Sequence, residues 1–359
     1  MKQIVSIILA AVLCLGLAGC RLEDVEELTK PVPNKNWKGS GVLTGTVYTL
    51  SEKWMTNHPE YTGWTVDGDL VGNDRVRISA VKEGKRLYGY ADLYGRIVIA
   101  PAYSDAVSFD QGYAAVQRDG LWGLINTAGE AVLDCAYDGV YGVGGNRIAV
   151  ITEGTCVQYM DMRGNSRLRV NNMYGGPFSD GFAYVVNLRT GDYGFIDTKG
   201  NVVIDTIYDA AGSFVDGYAM VKEGSSVSVI NKSGAVTGKL PGSNIGVFID
   251  GYTLRYLSDS SSPIPTTRVY TLYDPFGQIC GEWKNLFHMT DFEKGIAFLT
   301  APADETGATA RTYGMDMDGN TYALSLSDRY NGFSYSDGVA FGMIQNEDGT
   351  VTYHLYMIG

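Results

Sequence analysis

The chain has 359 residues, of which 46 are glycine and 25 tyrosine; only 19% are charged, and the formal net charge is −12. Many glycines beside many aromatics suit short strands and tight turns better than helices, and few segments carry the i, i+3, i+4, i+7 apolar face of an amphipathic helix. The acidic balance, with no Lys/Arg cluster to offset it, repels phosphate backbones and argues against a nucleic-acid partner.

The first element is a leader. Lys2 precedes an apolar run from Ile4 to Leu17 broken only by Ser6 and Gly16. A membrane-spanning helix needs about 20 apolar residues, so the run reads as the h-region of a signal peptide. It ends Leu17-Ala18-Gly19-Cys20, which resembles the lipobox of bacterial lipoproteins. Small side chains at Ala18 and Gly19 let an extended backbone enter a peptidase cleft, and the Cys20 thiol is the nucleophile placed to take a diacylglyceryl group. The resemblance implies a signal peptide over 1–19, cleavage between Gly19 and Cys20, and a mature chain held on a lipid bilayer through acylated Cys20. Its location is then extracytoplasmic, at the cell surface or the periplasmic face; two or more acyl chains anchor stably where one is marginal. Arg21 to Lys30 is charged, and Pro31, Pro33 and Gly39-Ser40-Gly41 follow. Residues 20–40 therefore read as a lipidated tether, and 41–359 as a β-repeat domain.

Two anchors recur through that domain. One is a turn, Asp/Asn-x-x-Gly, at Asp92–Gly95, Asn126–Gly129, Asp161–Gly164, Asp197–Gly200, Asn231–Gly234, Asp274–Gly277 and Asp316–Gly319, with steps of 34, 35, 36, 34, 43 and 42 residues. The side-chain oxygen is expected to accept from N–H groups ahead of it, and the glycine to supply a positive φ. The other is aromatic-x-x-Gly, at Phe109–Gly112, Phe178–Gly181, Phe214–Gly217, Phe248–Gly251, Phe292–Gly295 and Tyr335–Gly338. Between anchors lie strand-like runs such as Tyr113–Val116, Trp122–Ile125 and Ala131–Leu133. Each unit thus holds three or four short antiparallel strands and needs its neighbours to bury both faces.

Gly112-Tyr113-Ala114-Ala115-Val116 with Gly120-Leu121-Trp122-Gly123-Leu124-Ile125-Asn126-Thr127-Ala128-Gly129 resembles the unit of the WG-repeat (KWG-repeat) proteins of bacteria. So does Gly181-Phe182-Ala183-Tyr184-Val185 with Tyr193-Gly194-Phe195-Ile196-Asp197 through Ile204, then Tyr208-Asp209 and Phe214. The family's tryptophan position is held by Tyr88, Trp122, Val157, Tyr193, Val227 and Tyr270. The likeness is good from about Arg77 to Gly234 and weak beyond. It implies a surface location and binding more than any one chemistry.

Units of this size fit the blades of an all-β propeller, here of seven or eight blades; a β-solenoid is the alternative. Strand-like pieces at Val42–Tyr48 and Trp64–Val66 suggest that the N-terminus completes the last unit and closes the ring, removing exposed sheet edges. A solenoid would instead need capping units.

No catalytic constellation, cofactor site or metal site is expected. Asp316-Met317-Asp318-Gly319-Asn320 looks like the start of a calcium loop but has Ser327 where an EF-hand needs glutamate, and it coincides with a repeat turn. His58, His288 and His354 are scattered, and no nucleophile elbow or P-loop occurs. Cys14 leaves with the leader; Cys135, Cys156 and Cys280 imply no disulfide framework and read as small buried hydrophobes, with one bridge left open. The recurring rings of Tyr88, Trp122, Tyr193 and Tyr270 are the binding candidates: either they line a rim and stack on sugar rings, or they wedge between units as core. Trp54, Trp64 and Trp283 fall outside the register. The reading is a non-catalytic binding or scaffold lipoprotein with a protein or glycan ligand. The alternative is an extracytoplasmic glycan-active enzyme on the same scaffold, because a carboxylate pair among many acids is compatible with the sequence.

Overall fold

The computed structural model describes residues 42–43, 45–152, 155–258, 260, 262–264, 266–293, 295–303, 306–307, 310–316, 320–324, 332–336, 339–345 and 351–357. Gly19, Cys20, the tether and Gly319 lie outside the described residues. Among the described residues the fold is all-β apart from one short helix, Glu52–Asn57. Strand pairing is antiparallel among the described residues except at two short contacts, where Val42–Leu43 meets Thr321–Leu324 and Cys156 meets Met173.

The second sheet shows how one unit is built. Asp105–Ala106, Tyr113–Arg118, Leu121–Asn126 and Ala131–Tyr137 pair in chain order as an up-and-down meander. Both its faces are covered. Ala114, Val116 and Ile125 join Tyr90, Ile99 and Phe109 in one core shared with the sheet before. Leu124 and Leu133 join Ile148, Val150 and Met160 in another shared with the sheet after. Stacking, not the single sheet, therefore makes the core.

Each recurring turn has the same hydrogen bonds. Asn126 Oδ1 accepts from Ala128 N and Glu130 N, both at 3.0 Å, and Gly129 N donates to the Asn126 carbonyl at 2.9 Å. The same pattern forms at Asp161, Asp197, Asn231 and Asp274, with φ of 77–88° at Gly129, Gly164, Gly200, Gly234 and Gly277. Asp316 accepts from Asn320 N at 2.9 Å, Asn320 Nδ2 at 3.0 Å and Tyr322 Oη at 2.8 Å, so that carboxylate serves its turn.

Donors from Asn201 and Lys199 hold the Asp197 carboxyl below its ordinary range. A depressed carboxylate adds stability above its unfolded pKa, about 3.9, and loses it as pH falls through the lower folded value. Asp197→Asn keeps an Asx turn, as Asn126 and Asn231 do, but removes the titration. The wild type is expected to lose thermal midpoint relative to this variant as pH falls from about 4 toward 2. A difference in midpoint that stays constant with pH would overturn that account.

The second anchor is a buried phenylalanine followed by a two-residue primed turn. Successive positive φ values occur at Gln111-Gly112, Asp180-Gly181, Asp216-Gly217 and Asp250-Gly251, the geometry that matches strand twist. The phenylalanine packs on the preceding unit, against the ring two residues past that unit's WG position. Ring centroids are 4.7 Å apart for Tyr90–Phe109, 4.6 Å for Tyr159–Phe178 and 4.7 Å for Phe195–Phe214. Where that inner ring is tyrosine, its hydroxyl donates across the interface: Tyr90 to Val107 O at 2.6 Å, Tyr159 to Gly176 O at 3.0 Å. Burial pushes both phenols upward, so they remain neutral donors.

The N-terminal strands complete the array. Gly45–Tyr48 pairs antiparallel with Val351–Met357, and Val42–Leu43 adds to the sheet before it. First and last units are thereby joined, which a linear solenoid does not do, and the arrangement is a β-propeller.

The expectation of seven or eight blades needs correction. Hydrogen bonding divides the described strands into seven sheets, of which five are separate and blade-sized, with four or five strands each. One sheet has eight strands, because the Cys156–Met173 contact fuses two successive four-strand runs. Another has three, Thr253–Ser258, Arg268–Tyr273 and Ile279–Leu286. There Pro241-Gly242-Ser243-Asn244 leads in where other units place a short first strand; proline has no N–H for a ladder.

Candidate functional site

The four recurring aromatics do not gather at one place. Tyr88 pairs across strands with Tyr103, Trp122 with Tyr137, and Tyr193 with Tyr208; all three WG-position rings are half-buried. Tyr270 pairs with Trp283 and is only 2% exposed, inside a core with Leu286, Met289 and Phe292. Its proposed ligand-stacking role is therefore corrected: neighbouring strands cover the ring. Val157 and Val227, at the same position, are buried as well. No ring contact among the described residues links Tyr88, Trp122, Tyr193 and Tyr270 to one another.

Tyr88 lines a cleft. The cleft has a volume of about 380 Å³ and is bordered by Thr65, Val66, Asp67, Arg77, Ser79, Arg86 and Tyr88. All belong to the first sheet, Thr62–Gly72, Arg75–Lys82, Lys85–Asp92 and Ile97–Tyr103. Strand alternation puts Val76, Ile78 and Ala91 into a core on one face, and Arg77, Ser79, Arg86 and Tyr88 on the other. Farther along that second face, Tyr90 and Ile99 pack against the next sheet.

The polar groups form a connected set. Arg77 Nε donates to Asp67 Oδ2 at 2.9 Å, its Nη1 donates to the Ala106 carbonyl at 2.5 Å, and its guanidinium lies 4.9 Å from the Tyr88 ring centroid. Thr65 and Ser79 hydroxyls are 2.6 Å apart. Arg86 Nη1 donates to Ser79 Oγ at 2.7 Å and reaches Gly63 O and Thr65 Oγ1 at 3.3 and 3.4 Å.

Sequence reasoning found Tyr88 and missed its neighbours. A signal for them exists in the repeat itself. Arg77 stands where the second, fourth and fifth units carry Ala115, Tyr184 and Met220, each paired across from the residue two past the WG position. The hairpin of the first sheet also continues past Ser79–Tyr88 through Ala80–Leu87, Val81–Arg86 and Lys82–Lys85, whereas the second sheet adds only Arg118–Leu121 beyond Gln117–Trp122. Arg86 sits in that extension.

A second cleft, about 280 Å³, is lined by Pro241–Val247, Thr253–Tyr256 and Asp291. Arg255 there is committed to the Pro241 and Asn244 carbonyls. Desolvation pushes the Asp291 carboxyl upward, opposed by donation from Leu254 N. The residue's surface is nevertheless open to solvent, so water screens the carboxylate and it lacks the enclosure of a general acid.

Of the tryptophans outside the register, Trp283 is core. Trp54 and Trp64 meet edge-on at 5.6 Å, and His58 stacks on Trp54 at 4.0 Å. This cluster lies on the other face of the first sheet from the cleft, where Trp64 packs on Val66, Val76 and Ile78. Helix Glu52–Asn57, capped by Ser51 Oγ accepting from Trp54 N at 3.3 Å, brings Trp54 there.

Among the described residues no three His, Cys, Asp or Glu side chains converge as a metal site, and no helix is long and apolar enough to cross a membrane. The three described cysteines are unbridged: Cys156 is buried, Cys135 half-buried and Cys280 exposed. The reading as buried hydrophobes thus fails for Cys280, which follows the Asp274 turn on a strand whose first residues face solvent.

No curated protein matches the chain. Similar solved structures include BamB from Moraxella catarrhalis, at 12% identity and TM-score 0.41 over 83% of this chain and 97% of that one. Others are the WD40 domain of SCAP from fission yeast, at 9%, 0.43, 87% and 96%, and the C-terminal WD40 domain of Sif2, at 9%, 0.42, 89% and 97%. The family model for the WG containing repeat matches residues 88–122, 122–156 and 193–225, beginning at the aromatic-glycine pairs Tyr88-Gly89, Trp122-Gly123 and Tyr193-Gly194. The chain thus carries WG-containing repeats at three positions between residues 88 and 225.

Proposed function

We propose that this protein is a non-catalytic extracytoplasmic binding module, anchored to a membrane through acylated Cys20. The observation that carries the binding role is the cleft on the first sheet. A repeat position that carries Ala115, Tyr184 or Met220 in other units holds arginine there, among the other polar groups of the cleft, and ligand sites are concave with a few placed polar groups. The anchor rests on the likeness of Leu17-Ala18-Gly19-Cys20 to a lipobox. The partner is a protein or glycan reached from the membrane surface.

The test of the anchor is the mass of the mature N-terminus from expressing cells, beside a Cys20→Ala variant. Diacylglyceryl on Cys20, with loss of the variant from the membrane fraction, is the expected result. An unmodified Cys20 overturns the anchored reading. Release of product from a broad glycan panel overturns the non-catalytic one.

A further inference from the structure

We propose that the cleft formed by Thr65, Asp67, Arg77, Ser79, Arg86 and Tyr88 binds a carboxylate-bearing sugar, of the hexuronate class. The inference rests on the binding role given above and adds the chemistry of the ligand.

Charge is the first argument. Within the cleft Asp67 is paired with Arg77, while Arg86 meets only hydroxyls and a carbonyl among the described residues. Among the described residues Arg86 thus has no carboxylate partner, in a chain whose net charge is −12. A neutral ligand leaves that charge unbalanced, whereas a carboxylate completes it. Arg86 uses Nη1 for its protein contacts, so Nε and Nη2 remain as a fork suited to a planar carboxylate.

The groups around the charge select for hydroxyls. Thr65 and Ser79 each donate and accept, and Asp67 accepts. Set 2.6 Å apart, the two hydroxyls offer the exchangeable pairing that a ring hydroxyl displaces without loss of hydrogen bonds. Tyr88 adds a half-buried ring to the wall, with the Arg77 guanidinium over it. A volume of about 380 Å³ holds a single sugar ring with its substituents.

The placement of Arg86 also argues for use. It lies in the extended part of the hairpin and reaches back over Ser79 and Thr65. A solvated arginine at a hairpin end loses side-chain entropy by lying down on a sheet. Here it does so onto neutral partners, which orients its unused donors.

The experiment is a calorimetric titration of the purified full mature chain with glucuronate, glucose, acetate and inorganic phosphate, for wild type, Arg86→Gln and Arg86→Lys. Glucuronate is expected to bind at least tenfold more tightly than glucose or acetate. Arg86→Gln is expected to lose at least tenfold and Arg86→Lys less, with all three proteins keeping the same thermal midpoint. Equal binding of glucose, or an unchanged affinity in Arg86→Gln, overturns the proposal. Acetate or phosphate binding as well as glucuronate overturns its sugar component. Glucuronate binding by a chain whose Cys20 is unmodified leaves this site standing and removes the anchored reading. Acylated Cys20 with no glucuronate binding does the reverse.

Discussion

Gly123→Ala is expected to destabilise the protein by about 3 kcal/mol, the upper end of the usual cost of overpacking. A Cβ on Gly123 would lie 2.6 Å from the Leu133 carbonyl oxygen and 2.8 Å from Cys135 N. Both are backbone atoms, so no side-chain rotation relieves the contact. The cause is a bulge in the pairing of Leu121–Asn126 with Ala131–Tyr137, where the register jumps from Leu124–Leu133 to Trp122–Tyr137. The extra residues arch over the glycine. Gly194 stands under the same arch, 2.6 Å from the Ile204 carbonyl oxygen by the same construction. The glycine of each aromatic-glycine pair is thus required by the strand beside it, not by its own φ, since Gly89, Gly123 and Gly194 are absent from the positive-φ positions. Gly120→Ala is the control. It has φ of 84° and open space around a new Cβ, so it costs only the strain of a left-handed residue, about 1–2 kcal/mol. Thermal midpoints of the two variants should fall in that order, and the reverse order would sink the arch explanation.

Deleting Gly45–Tyr48 is expected to cost about 2–4 kcal/mol, at roughly 1 kcal/mol for each backbone hydrogen bond, and to make the protein self-associate. The strand pairs residue by residue with Tyr353 to Tyr356. Without it, Val351–Met357 becomes a bare edge seven residues long, the kind of edge that recruits other chains. Thermal midpoint and light scattering across a concentration series check both parts. An unchanged midpoint with a monomer at all concentrations would show that the seam does not depend on this strand.

Much of the fold is legible because its turns are local. An Asx side chain, two N–H groups ahead and a glycine lie within five residues, so Asn126–Glu130 or Asp197–Asn201 specify the same turn wherever they occur. The pairing of Gly45–Tyr48 with the last sheet is foreshadowed by the strand-like piece at Val42–Tyr48. Helix Glu52–Asn57 is not legible in the sequence because six residues show no helical period, although Ser51 stands as its cap. The fusion at Cys156–Met173 depends on a parallel contact between segments that share no local motif. For the site, the spacing singled out Tyr88 but could not separate it from Tyr270, which holds the same repeat position.

The sequence by itself determined the period, the turn chemistry and the likeness to WG repeats, because each is a property of a few neighbouring residues. The tertiary structure alone decided which rings are core and which remain half-open, since that depends on what the next sheet covers. Tyr270 is enclosed by Leu286, Met289 and Phe292, while Tyr88 borders a cleft. It also brought Arg77, Arg86 and Asp67 together: they lie on three different strands, and only antiparallel register sets their side chains on one face.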